Sequence, residues 1–193
     1  MALKLITAPA EEPITLAQAK AQCRVDGSAE DALFTGVIIP AARRAAEHRI
    51  GQALVTQTWE LALDAFPCAE IKLPLPPVQS ITHIKYLDPD GAEQTVSAAD
   101  YALDSYGSVA HWVIPAQDVT WPDTLAAANA VKVRFVAGFG AASAVPEDIK
   151  AWLLLSIGTL YTYRETLAAG QIVELPGGFW QSLLDPYRIW SFG

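Results

Sequence analysis

Cysteine is nearly absent from this chain. Only Cys23 and Cys68 occur among 193 residues, without CxxC spacing, so a disulfide-stapled fold and a thiolate metal site are both excluded and a reducing cytoplasmic setting is expected. Histidine is scarce as well. His48, His83 and His111 lie far apart, none with a second ligand at i+2 or i+4, so each reads as a structural histidine and no metal is expected. Long apolar runs are missing: the greasiest helical stretch, residues 151–163, covers 13 positions, against the roughly 20 that a bilayer span needs. The first residues also lack the basic stretch and apolar core of a secretory leader, and no membrane partner is expected.

Charge is thin, at 18% of residues against 52% hydrophobic. That is apolar for a soluble monomer and points to apolar surface covered by a partner. The net charge of −8 is unevenly spread: residues 1–50 carry six basic and six acidic groups, residues 51–145 four and ten, and residues 146–193 three and five. A surface that grips nucleic acid needs clustered Lys and Arg, so the acidic middle reads as a solvated face or as one that lets nucleic acid pass unheld. At this length the chain buries roughly 70% of its unfolded surface without metal or disulfide.

Thr15-Leu16-Ala17-Gln18 has the form of a capping box and predicts a short helix over 15–23. "DGS" at 26–28 breaks it, and Ser28 with Asp31 offers a second cap. Leu33, Phe34, Val37, Ile38, Ala41, Ala42 and Ala45 then recur at helical spacing to Arg49, a helix of about 31 Å. Its alanines admit a close helical neighbour, Arg43 and Glu47 are spaced to pair on the solvent face, and Gly51 is placed to end it in the left-handed region. Pro40 must kink or split it near 36–40.

From 54 to 137 the period is two. Val55, Trp59, Leu61 and Leu63 alternate with Thr56, Thr58, Glu60 and Asp64, and Val131, Val133 and Phe135 with Lys132 and Arg134, as in antiparallel strands with one dry face. In "LPLPPVQSITHIKYLDPDG", residues 73–91, a proline-stiffened lead-in precedes a strand and a tight turn. That turn hairpins Ser80–Leu87 onto Glu93–Ser97, and shorter strands are expected near Tyr101–Leu103 and Val109–Ile114. The helical period returns after "AVPED", where Pro146 fits a first turn and Glu147 and Asp148 suit the positive dipole end. A helix over 146–165, apolar on nearly every side, follows, then a loop and a short helix near Phe179–Leu184. The expected fold class is α+β: N- and C-terminal helices (14–51 and 146–189) packed as a small bundle, with an antiparallel β region (54–138) inserted in a single domain of residues 1–193.

Chemistry is hard to find. "GFGAAS" at 138–143 follows a strand and precedes a helix, but Ser143 stands where a dinucleotide fingerprint wants its third glycine and no parallel βαβ unit is completed. There is no nucleophile elbow, no phosphate loop and no cysteine beside a histidine. No catalytic residue, metal or cofactor is expected, and an enzyme is disfavoured. The terminus is aromatic instead: Phe179, Trp180, Tyr187 and Trp190 are candidate partner contacts, or caps on the chain's own core. Ala41, Ala45, Trp152 and Tyr161 are candidates for helix–helix contact within or between subunits.

"ITLAQAKAQCRVD", "AARRAAEHRIGQALVTQTWEL", "LPLPPVQSITHIKYLDPDG", "YALD", "VKVRFVAGFG", "VPEDIKAWLLLSIGTLYTYRE" and "LLDPYRI", in this order over about residues 14–189, resemble the head-tail connector proteins of tailed bacteriophages. Pro40 and the aromatic end after Arg188 depart from the pattern. The resemblance implies a protein without an active site that is made in the host cytoplasm and sits in the virion. There it would form a ring, typically of twelve copies, beneath the portal protein, extend the DNA channel and seat a tail or stopper protein. DNA would pass through without specific binding, and Asp88, Asp90 and Glu93 are candidates to face that channel. The competing readings are a monomeric ligand- or carbohydrate-binding module, supported if Trp59, Trp112 and Trp121 share one sheet face, and a hydrolase whose site is unrecognised.

Overall fold

The computed structural model describes residues 1–107, 110–163 and 179–189. The chain is α+β and divides into two compact units. One comprises residues 1–10 with 55–139, the other 11–54 with 140–193. Residues 1–10, outside the β region expected from sequence, join it because they add a strand.

In the first unit a five-stranded antiparallel sheet has the order β1-β2-β8-β4-β5: β1 Ala2–Thr7, β2 Gln57–Leu63, β8 Val131–Ala137, β4 Val78–Leu87 and β5 Glu93–Thr95. A three-stranded sheet has the order β3-β7-β6, from β3 Ile71–Leu73, β7 His111–Pro115 and β6 Tyr101–Asp104. The alternation seen in sequence sets the register. Leu61 of β2, Val133 of β8 and Ile84 of β4 stand opposite one another and are all fully buried, while Glu60, Arg134 and His83 make the next row on the other face. The "DPDG" turn forms as expected, with Gly91 at φ 83° and its N–H bonded to the carbonyl of Asp88.

Two strands were not anticipated. β3 has three residues, too few for a period, and every residue of β1 is exposed, so its alternation carries no contrast of burial.

Gly138 shows why a glycine follows β8. At φ 122° its N–H donates to the carbonyl of Pro77 and its own carbonyl accepts from the Gln79 amide. A Cβ there would stand 2.5 Å from the carbonyl oxygen of Val55. "GFGAAS" is therefore a strand exit built for close backbone approach.

The second unit is helical: α1 Leu16–Cys23, α2 Asp31–Leu33, α3 Ile39–Ile50, α4 Glu147–Thr162 and α5 Phe179–Ser182. The Thr15 capping box forms with both of its hydrogen bonds, and Gly51 ends α3 at φ 73°. The Ser28 cap does not form. Glu30 is the N-cap of α2 without a side-chain capping bond, and Ser28 offers its carbonyl to the Asp31 N–H.

Between α2 and α3 the residues Phe34–Ile38 form a π turn, in which the Ile39 N–H bonds back to the Phe34 carbonyl. This is the form the Pro40 effect takes. Proline offers no N–H to the carbonyl four residues earlier, and widening the preceding turn absorbs the mismatch while the helix continues. Both α1 and α3 pack on α4, whose Ile149, Trp152, Leu153 and Ile157 are buried.

Candidate assembly surfaces

Burial separates the alanines of α3. Ala42 and Ala46 are fully buried, Ala41 is half-buried and Ala45 is exposed. The Arg43–Glu47 pair forms at 2.8 Å, but away from solvent: Arg43 is only 8% exposed and also binds Glu12 at 2.8 Å. Glu47 further accepts the Leu54 N–H at 3.1 Å, so this network ties the chain before α1 to the end of α3.

Three of the aromatic candidates pack against other rings. Tyr161 stacks on Phe34 with ring centroids 5.0 Å apart, and its hydroxyl donates to Glu30. Trp152 stacks on Trp180 at 5.6 Å, and the Arg49 guanidinium lies 5.9 Å from the Trp180 ring centroid. Leu184 is fully buried, the Tyr187 carbonyl accepts from Gln52, and the Ile189 N–H donates to Ile50. Residues 179–189 thus close the core of their own unit. The Phe179 backbone lies in α5; its side chain, like Trp190, falls outside the described residues.

The three acidic candidates differ. Asp88 is held by its own turn: it accepts from the Gln94 amide and from the N–H groups of Ala92 and Asp90, and the Gln94 bond leads in drawing its carboxyl below the usual range. Glu93 binds Lys85 at 2.6 Å, which likewise lowers its carboxyl. Asp90 is exposed at the tip of the turn.

An open cavity of about 380 Å³ in the first unit is lined by Phe66, Pro115, Trp121 and Asp123, among others. Phe66 and Trp121 stack face to face at 4.9 Å, and the Trp121 indole N–H is taken by the Ala69 carbonyl at 2.6 Å. Trp59 lies on β2 and Trp112 on β7, in different sheets, so the three tryptophans offer no shared face. Among the described residues no group of three His, Cys, Asp or Glu is placed to hold a metal, and no helix is long and apolar enough to cross a membrane.

His111 is buried and structural. Its Nδ1 accepts the Val78 N–H at 2.9 Å while Nε2 lies 2.9 Å from the Gly107 carbonyl. His83 has its pKa lowered, first by burial and then by Arg134 and Lys85.

Large apolar side chains are exposed on both units. Leu3, Leu5 and Ile6 of β1 are exposed in the first unit, and Val37, Leu160 and Tyr163 in the second.

No family model matches the chain, and no curated protein matches it. Solved structures do. A chain in the neck of an empty gene transfer agent (GTA) particle, computed with C6 symmetry, is 26% identical with a TM-score of 0.80, over 97% of this chain and 95% of that one. A chain in the virion of the native gene transfer agent particle matches with the same values. A third, from the neck of the native particle computed with C12 symmetry, is 24% identical with a TM-score of 0.76. Its structural neighbours are chains of gene transfer agent particles.

Proposed function

We propose that this chain is a structural protein of the neck of a phage-like particle, a head-tail connector that forms a ring beneath the portal, extends the DNA channel and joins capsid to tail. The observation that carries this reading is the likeness to neck chains along 97% of the sequence, which takes in both compact units. Composition agrees with it. Exposed apolar side chains on both units suit a protein whose surface is covered on assembly, and the net charge of −8 suits a conduit that must not hold phosphates. The buried His111 ring and the Trp121 indole N–H are both engaged by backbone groups.

The test is co-assembly. The full chain is mixed with the portal protein of the same genome and measured by mass photometry and negative-stain microscopy. Rings on the portal support the reading, and a mixture in which the two proteins stay separate at every concentration ends it.

A further inference from the structure

We infer that β1 is one half of the seam between neighbouring copies, and that it meets the acidic β4–β5 hairpin of a second copy of this chain. This rests on the ring reading above but specifies which surfaces join.

The apolar rows of the five-stranded sheet run out at β1 without being covered. Leu3 stands opposite Leu61, which faces Val133 and then Ile84; Leu5 stands opposite Trp59, which faces Phe135. The inner members Leu61, Val133, Ile84 and Phe135 are fully buried, yet at the edge Leu3 is 39% and Leu5 42% exposed. The next residue, Ile6, sits where the register with β2 shifts. A six-residue edge strand guarded by one lysine and one bulge is a template for another chain.

The occupant follows from charge. The opposite edge of the same sheet, β5, is short, fully exposed and acidic, with Glu93 in the strand and Asp88 and Asp90 in the turn before it. The one ionised side chain of β1 is Lys4. If β1 paired antiparallel with its own copy in the register that sets Leu3 against Leu5, Lys4 would stand against Lys4, which is unfavourable. Joining β1 to the hairpin edge puts Lys4 beside carboxylates instead. A head-to-tail join of two different patches is also the kind that closes rings.

The test uses the full chain with and without the portal, read by mass photometry, alongside circular dichroism and thermal melting. Leu5→Asp should melt as the parent does and Lys4→Glu slightly below it, because it sets a second carboxylate opposite Glu60, and both should lose rings at concentrations where the parent forms them. Lys4→Glu combined with Asp90→Lys should restore them. In a Cys23→Ser/Cys68→Ser background, Lys4→Cys with Glu93→Cys should give a ladder of copies linked by disulfides on oxidation. Rings that survive Leu5→Asp overturn the seam while leaving the connector reading intact. Loss of portal binding by single copies of Leu5→Asp, with rings of copies unaffected, assigns β1 to the portal and overturns it too. A parent that neither self-associates nor binds portal removes both.

Discussion

Replacing Gly138 with alanine should be among the costliest single-methyl additions to this chain. Its φ of 122° lies where L side chains are rarely found, and the added carbon would meet backbone: 2.5 Å from the Val55 oxygen, 2.6 Å from its carbonyl carbon and 2.8 Å from the Thr56 nitrogen. No flexible side chain can swing away. Holding a non-glycine residue at such a dihedral costs about 1–3 kcal/mol. Relief of the clash requires strand β2 and the end of β8 to part, which strains the bonds from Gly138 N–H to Pro77 and from Gln79 to the Gly138 carbonyl, both 2.8 Å. At about 1 kcal/mol each, the whole effect is about 4 kcal/mol, a large share of the 5–15 kcal/mol typical of folded proteins. In a chain of this size that corresponds to a fall in melting temperature of about 8–16 °C. The assay is urea and thermal unfolding against Gly27→Ala, where nothing lies within 4 Å of the added carbon. A Gly138→Ala protein within about 1 kcal/mol of its parent would refute the close-approach argument.

Gly36→Ala should act in the opposite direction: the residue lies exposed in the π turn with open space around a built Cβ, so the substitution should stabilise by about 0.5–1 kcal/mol, measured by urea midpoint. His111→Ala should cost about 2–4 kcal/mol, because it leaves the buried Val78 N–H without its acceptor and opens a cavity, while His111→Gln should recover part of the loss in the same assay. For His83 the folded pKa lies below the ordinary 6.5, so the unfolded chain binds the extra proton first and stability falls as pH drops from about 6.5 through the folded value. His83→Gln should flatten that part of the stability–pH curve, and an unchanged slope would count against it.

The local signals that came through in sequence are those set by a few adjacent residues. The Thr15 box, the Gly51 stop, the "DPDG" turn and the alternation of β8 each depend on neighbours within four positions, and each forms. What sequence could not show depends on distant partners. β1 became a strand only because β2 offers it an edge, and Arg43 was read as solvent-facing because its second partner, Glu12, comes from 31 residues away. Pro40 announced a disturbance but not its form, since a kink, a break and a π turn all satisfy the missing donor. Among the candidate site residues, Trp180 and Tyr187 could be named as aromatic anchors, but only the stacking on Trp152 and the bond from Gln52 show the core that they close.

Several of the polar groups that lie inside hold the chain together. Arg43 binds Glu12 and Glu47, Gln52 binds the Tyr187 carbonyl, and His111 bridges Val78 and Gly107. A reaction site needs the reverse arrangement, polar groups whose partners are withheld until substrate arrives and whose protonation is tuned by neighbours. Here the shifts have local structural causes: the Asp88 carboxyl is lowered by the turn that it organises, and that of Glu93 by Lys85 beside it. With these interior groups bonded to one another and the apolar rows of the main sheet left open at β1, where Leu3 and Leu5 are exposed, the distribution suits the assembly proposed above.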